Sequence, residues 1–144
     1  MNAQALAEAC ARAMWAEDRA SAGLGMVITR IAPGEADLTM TVAPNMVNGH
    51  GICHGGFVFT LADSAFAFAC NGFNRRAVAQ SNTITYLRPA MRDDVLTACA
   101  VQTTQAGRSG ITDVTVTDQA GQVIAVFRGL SRIIEGYLVE HAAR

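Results

Sequence analysis

Lysine is missing altogether from this 144-residue sequence: all 11 basic side chains are arginine, set against 12 acidic ones. With charge so nearly balanced, composition gives no footing for nucleic-acid binding or for a polybasic membrane anchor, both of which need a positive surplus. No stretch approaches the ~20 consecutive apolar residues that span a bilayer. The opening segment, interrupted by Glu8, Arg12, Glu17 and Asp18, lacks the unbroken apolar centre of a secretory signal. Cys10, Cys53, Cys70 and Cys99 are too scattered for paired metal-ligand spacing and too few for a disulfide scaffold. Repeats, low-complexity tracts and linkers are lacking as well. The expectation is one domain over residues 1–144, cytoplasmic, with reduced thiols, no membrane or nucleic-acid partner, and a small molecule to bind. Arginine suits bidentate recognition of phosphate or carboxylate; the plainer explanation of the all-arginine composition is a GC-rich coding bias.

Leu6, Ala9, Cys10, Ala13 and Met14 recur at helical spacing with Glu8 and Arg12 on another face, so an amphipathic helix runs to about Arg19 and lies on the domain surface. Past Gly23 and Gly25 the period becomes two. Residues 26–32 read as a strand, and residues 35–42 alternate Ala36, Leu38, Met40 and Val42 against Glu35, Asp37, Thr39 and Thr41, with Ala32-Pro33-Gly34 turning one into the other. After Asn71-Gly72, strands are expected over Val78–Leu87, Val95–Thr104, Ile111–Thr117 and Val123–Arg132. The connections, residues 88–94, 105–110 and 118–121, are short and rich in turn formers, which predicts sequential antiparallel pairing.

Between these groups of strands lies Gly55–Cys70, apolar on nearly every helical face. A helix without a polar face must be enclosed. At 1.5 Å per residue it is about 24 Å long, and the material available to enclose it is a curved antiparallel sheet of five or six strands. The expected fold is therefore α+β, a sheet wrapped around one central helix.

Asp63 interrupts that helix as the only formal charge between Asp37 and Arg75. A buried carboxylate costs several kcal/mol unless it is paired or its pKa rises. The plain explanation is a partner arginine from a strand, or a capped backbone end. The functional one begins with Gly55 and Gly56, which open the helix where N–H groups lack intrahelical partners and the dipole is positive. Without side chains they admit another molecule's oxygen, an oxyanion hole worth roughly 3–4 kcal/mol per donor; a Gly-rich loop entering a helix is the bland alternative. Gly55 and Asp63 are eight positions apart, about 12 Å along the axis. They do not reach one reacting carbon from the same helix. If both act, the site joins the helix N-terminus of one subunit to the Asp63 of another, twice in an isologous dimer.

Asn48 and His54 precede the helix, where each has groups to bond a carbonyl or hold a water. A rival places Cys53 as a nucleophile with His54 or His50 as its base. A metal site of His50, Cys53 and His54 lacks a fourth ligand at recognisable spacing, so neither metal nor cofactor is expected.

The stretch "MVNGHGICHGGFVFTLADSAFAFACN", with "SNTITYLRPA" and "AVFRGLSRI", resembles the hotdog-fold acyl-CoA thioesterases, specifically the PaaI-like branch associated with phenylacetate degradation, and the resemblance covers nearly the whole chain. It implies a long helix wrapped by an antiparallel sheet, dimers often paired into tetramers, and a site at the subunit interface. By position Asp63 is then the catalytic carboxylate, general base toward water or nucleophile on the thioester carbon. The Gly55 and Gly56 amides polarise the thioester carbonyl, while Asn48 and His54 orient that carbonyl or the water. Related branches carry a glutamate for the carboxylate and a hydroxyl residue one turn later, where this sequence has Ala67. The resemblance also implies that Asn82, Thr83, Arg88 and Pro89 bind the pantetheine arm and that CoA enters only as part of the substrate; Arg88 and Arg108 are the candidates for the nucleotide phosphates, each otherwise an ordinary surface charge. An arylacetyl or hydroxyphenylacetyl acyl group follows from the branch, with Phe57, Phe59 and Phe66 as candidate lining or simply core. A hotdog enoyl-CoA hydratase and a non-catalytic acyl-CoA-binding protein are the competing readings.

Overall fold

A computed structural model describes residues 1–140. The Asn2 side chain accepts from the Ala5 amide and so caps the first helix, α1 (Ala3–Glu17), which buries Ala7, Cys10 and Ala11 along one face. Asp18 then interrupts the helix. Its carboxylate accepts from the Ser21 amide at 2.9 Å and hydroxyl at 2.7 Å, capping a second short helix, α2 (Arg19–Gly23). The single helix expected to about Arg19 is thus two, because Asp18 supplies the acceptor that a new N-terminus needs.

β1 (Val27–Ala32) and β2 (Glu35–Thr41) form the expected hairpin, turning through Gly34 at a φ of +73°. A 3-10 turn at Pro44–Met46 leads into the loop before α3 (Gly55–Cys70). β3 (Ala77–Tyr86), β4 (Val95–Ala106), β5 (Ser109–Thr117) and β6 (Val123–Ile133) follow. All six strands belong to one antiparallel sheet in the order β1-β2-β4-β5-β6-β3.

Sequential pairing holds for β1–β2, β4–β5 and β5–β6, but not for β3 and β4: β3 pairs with β6, and β4 with β2. The reason lies in residues 87–94, which cross the end of the molecule instead of reversing on themselves. Their backbone bonds successively to Ile124, Cys53 and Val42, so the chain leaves beside β6 and arrives beside β2.

The sheet lays Leu38 and Met40 of β2, Leu96 and Ala98 of β4, Val114 and Val116 of β5 and Phe127 of β6 against Leu61, Ala62, Ala65 and Phe66 of α3, all buried. Fully burying a side chain the size of Phe66 stabilises by about 1.5–3 kcal/mol. Its ring occupies the space left by Gly129, where an added Cβ would lie 2.6 Å from Phe66 Cε1. Enclosure of α3 is incomplete, however. Gly56, Thr60, Asp63 and Ala67, at spacings of four, three and four, make a stripe that the chain's other elements cover only in part. β3 ends the sheet beside this stripe, with Val78 46% and Tyr86 48% exposed and its outer edge unpaired among the described residues.

Candidate active site

The loop before α3 is closed by Asn48, whose Oδ1 accepts from the His50 and Ile52 amides at 2.9 and 3.2 Å, while its side-chain NH2 makes no hydrogen bond among the described residues. The turn passes through Gly51 at a φ of +76°. His54 is the N-cap of α3: its Nδ1 accepts from the Gly56 amide at 3.0 Å, and the ring is otherwise exposed. The Gly56 amide is already engaged within the chain, and His54 turns one ring nitrogen to the helix end instead of outward. The Gly55 amide makes no hydrogen bond among the described residues and is the free donor at the helix's positive end. Gly55 is also held from the other side, because the Tyr86 hydroxyl donates to its carbonyl oxygen at 2.8 Å.

Asn48, Gly55, Tyr86, Arg88 and Pro89 line a common cavity of about 440 Å³. The helix N-terminus and the segment after β3 therefore meet in one place. Asn82 and Thr83 face opposite sides of β3. Successive residues of a strand face opposite sides: Asn82, opposite Gly129, points toward α3, and Thr83, opposite Arg128, is exposed on the outer face. Arg108 is elsewhere too, lining with Arg75 a separate cavity of about 300 Å³ at the other end of β3.

The Cys53 rival fails on geometry. Its thiol, pushed up by burial, lies against the His54 carbonyl oxygen at 3.6 Å, while the imidazole faces Gly56. No group of three or more His, Cys, Asp or Glu side chains suited to a metal ion occurs among the described residues, so His50, Cys53 and His54 do not converge.

Asp63 is half-buried on the partly covered stripe. Desolvation pushes its pKa above the ordinary carboxylate value, and a hydrogen bond from Asn82 pulls the other way. Asn82 Nδ2 donates to Asp63 Oδ1 over a long 3.4 Å. No ion pair reaches Asp63 among the described residues, which removes the strand-arginine explanation; the two ion pairs found are Arg30–Glu35 and Arg128–Asp113. Two turns further on, burial holds the Cys70 thiol up at about 12, so it stays neutral. The result is a half-buried ionisable acid with one amide as partner, its pKa raised by burial, a form suited to taking up a proton. Of the phenylalanines, Phe66 is core, Phe59 sits half-buried against Phe127 at 5.4 Å, and Phe57 stands edge-on to His54 at 6.3 Å.

Two relationships were missed from sequence, Tyr86 to Gly55 and Asn82 to Asp63. The signal was present: Asn82, Ile84 and Tyr86 share one parity in the strand, so all three face the helix.

Residues 50–125 match the thioesterase superfamily. The acyl-coenzyme A thioesterase PaaI of Escherichia coli is 42% identical over 132 residues, spanning 92% of this chain and 94% of that one. The solved structure of the E. coli PaaI protein from the phenylacetic acid degradation operon superposes with a TM-score of 0.93 at 41% identity, covering 94% of this chain and 99% of that one. A Streptococcus pneumoniae hypothetical thioesterase solved with coenzyme A is similar at a TM-score of 0.75 and 25% identity, over 78% of this chain and 88% of that one. The chain belongs to the thioesterase superfamily, in its hotdog-fold, PaaI-like branch, and is an acyl-CoA thioesterase, a hydrolase.

Proposed function

We propose that the enzyme hydrolyses aryl- or arylacetyl-CoA thioesters, of the hydroxyphenylacetyl-CoA type, at two sites that each span a homodimer interface. The observation that carries this reading is the separation, on one 16-residue helix, of the free Gly55 amide at its start from Asp63 in its middle. One rigid helix does not bring both to the same carbon. The open edge of β3 supplies the join. An unpaired edge is a template for another strand, and antiparallel pairing with a second copy about a two-fold axis sets the Ala77 end of one β3 beside the Tyr86 end of the other. The partly covered stripe of α3 then faces the partner's helix start. The same operation carries Arg75 and Arg108 toward the partner's Arg88, a set of guanidinium groups suited to the CoA phosphates. In E. coli, the PaaI relative is associated with phenylacetic acid degradation, which favours an aromatic acyl group.

In this mechanism the Asp63 carboxylate takes a proton from water as the water oxygen bonds to the thioester carbon, or bonds to that carbon itself to give an anhydride that water then opens. Both routes break the C–S bond and yield carboxylic acid and CoA thiol. The Gly55 amide of the partner subunit donates to the carbonyl oxygen as negative charge develops there. The Asn48 side-chain NH2, on the cavity lining, and the exposed ring of His54, between the lining residues Cys53 and Gly55, orient the carbonyl or the water. The protein requires no metal or cofactor for this chemistry, and four unpaired cysteines suit the reducing cytoplasm. Thiol release from phenylacetyl-, hydroxyphenylacetyl-, short- and long-chain acyl-CoAs tests the proposal. Preference for the aryl substrates is expected; thiol release confined to straight-chain substrates, or loss of enoyl absorbance without thiol, contradicts it.

A further inference from the structure

We propose that Asn82 is the positioning residue of Asp63, holding the carboxylate in place through its side-chain amide rather than binding substrate. The inference rests on the role given to Asp63 above. Asn82 stands opposite Gly129, and the ring of Phe66 fills the space over that glycine, so the amide faces an apolar wall on this side. Its Nδ2 reaches Asp63 at 3.4 Å, and its Oδ1 is buried with no hydrogen-bond partner. An orphaned buried acceptor costs about 1–3 kcal/mol, and its persistence beside an ionisable acid points to use. The same amide fits both protonation states: it donates to the carboxylate, and after Asp63 takes up a proton a half-turn presents Oδ1 to the acid O–H.

No other group among the described residues competes for this task. Ser64, the next residue on α3, is engaged by Ser21 of α2 at 2.8 Å, and Ser21 is in turn bonded to Asp18. On α3 itself the titratable neighbour is Cys70, held neutral by burial and bonded to Ser131 of β6. β2, β4 and β5 present Leu38, Leu96, Val114 and Val116 to the helix, all apolar. Asn82 is therefore the one side chain that donates to the Asp63 carboxylate among the described residues.

Two variants test this, Asn82→Asp, isosteric but without the amide donor, and Asn82→Leu, of similar branching but larger and without any polar group. The acid limb of kcat/KM is expected to move to higher pH by about one unit in both, with activity at the wild type's half-maximal pH down about fivefold and KM changed less than twofold. A raised KM with an unmoved limb assigns Asn82 to substrate binding and overturns the proposal, as does no change in either. Should neither variant fold, the wild type decides: the Asn82 side-chain NH2 resonances should titrate together with the Asp63 carboxyl carbon, identified by its loss in Asp63→Asn, and independent titration overturns the inference. These spectra also separate the two readings. A wild type that releases no thiol but shows the coupled titration refutes the proposed substrate while leaving the Asn82–Asp63 relationship standing.

Discussion

The Tyr86 ring stands against Gly55 so closely that a Cβ on residue 55 would lie 2.9 Å from Cζ, and its hydroxyl donates to the Gly55 carbonyl oxygen at 2.8 Å. The last residue of β3 thus sets the height of the first residue of α3. Because β3 is also the sheet edge, the donor at the helix start and that edge share one mechanical reference.

Separate substitutions distinguish packing from the hydrogen bond at this contact. Tyr86→Phe keeps the ring and removes the bond, so unfolding should ease by about 0.5–1.5 kcal/mol with modest loss of kcat. Gly55→Ala forces the ring or the helix start to shift and should lower kcat by about 100-fold, the range seen when one oxyanion donor is removed. Steady-state kinetics with denaturant titrations checks both; equal kcat in wild type and Gly55→Ala contradicts the assigned role of the helix start.

Asp63→Asn should disable the enzyme and stabilise the fold. Burial raises the Asp63 pKa, outweighing the hydrogen bond from Asn82. A carboxyl whose folded pKa exceeds its unfolded value contributes stability that is fully present below the unfolded pKa and lost as pH rises through the folded one. The neutral amide avoids that loss. Hydrolysis should fall by about 10²–10⁴-fold, while Tm should exceed that of the wild type at pH ~8 and converge with it as pH falls toward the ordinary carboxylate value of 3.8. A wild type that is the more stable protein at the higher pH contradicts this.

Cys53→Ala should retain most activity. The Cys53 thiol is buried, pushed up by desolvation and turned to a backbone carbonyl, so it offers little thiolate at neutral pH. Slow alkylation of Cys53 relative to the exposed Cys99, followed by mass spectrometry, checks the same point.

Gly129→Ala should act on stability alone. The new methyl meets the fully buried Phe66 ring at 2.6 Å, and overpacking of this kind costs about 1–3 kcal/mol. Thermal unfolding should show the loss, and the pH profile of residual activity should keep its midpoint.

The elements were legible where one period dominates. Residues 35–42 alternate cleanly and form β2; Gly55–Cys70 is apolar enough to demand a sheet around it, and both lie where the pattern puts them. Topology was harder, because residues 88–94 have the composition of a tight turn yet bond to three separated segments as they cross the molecule, a fact that lives in long-range hydrogen bonds. The break at Asp18 was hidden for the opposite reason, since one capping side chain outweighs a continuous helical pattern. In the candidate site, residue types marked Asp63, Gly55 and Asn48 as chemically able. They did not reveal that His54 occupies the Gly56 amide or that Thr83 faces away from Asn82, which depend on a rotamer and on strand parity.

The central claim, that each site joins Gly55 of one subunit to Asp63 of another, is tested most directly by mixing two inactive proteins. Asp63→Asn and Gly55→Ala chains, co-expressed with different tags and purified as the heterodimer, should regain about half of the wild-type turnover per dimer, because one of the two interface sites then holds both intact groups. A heterodimer no more active than either parent would place both groups in the same subunit's site and contradict the account.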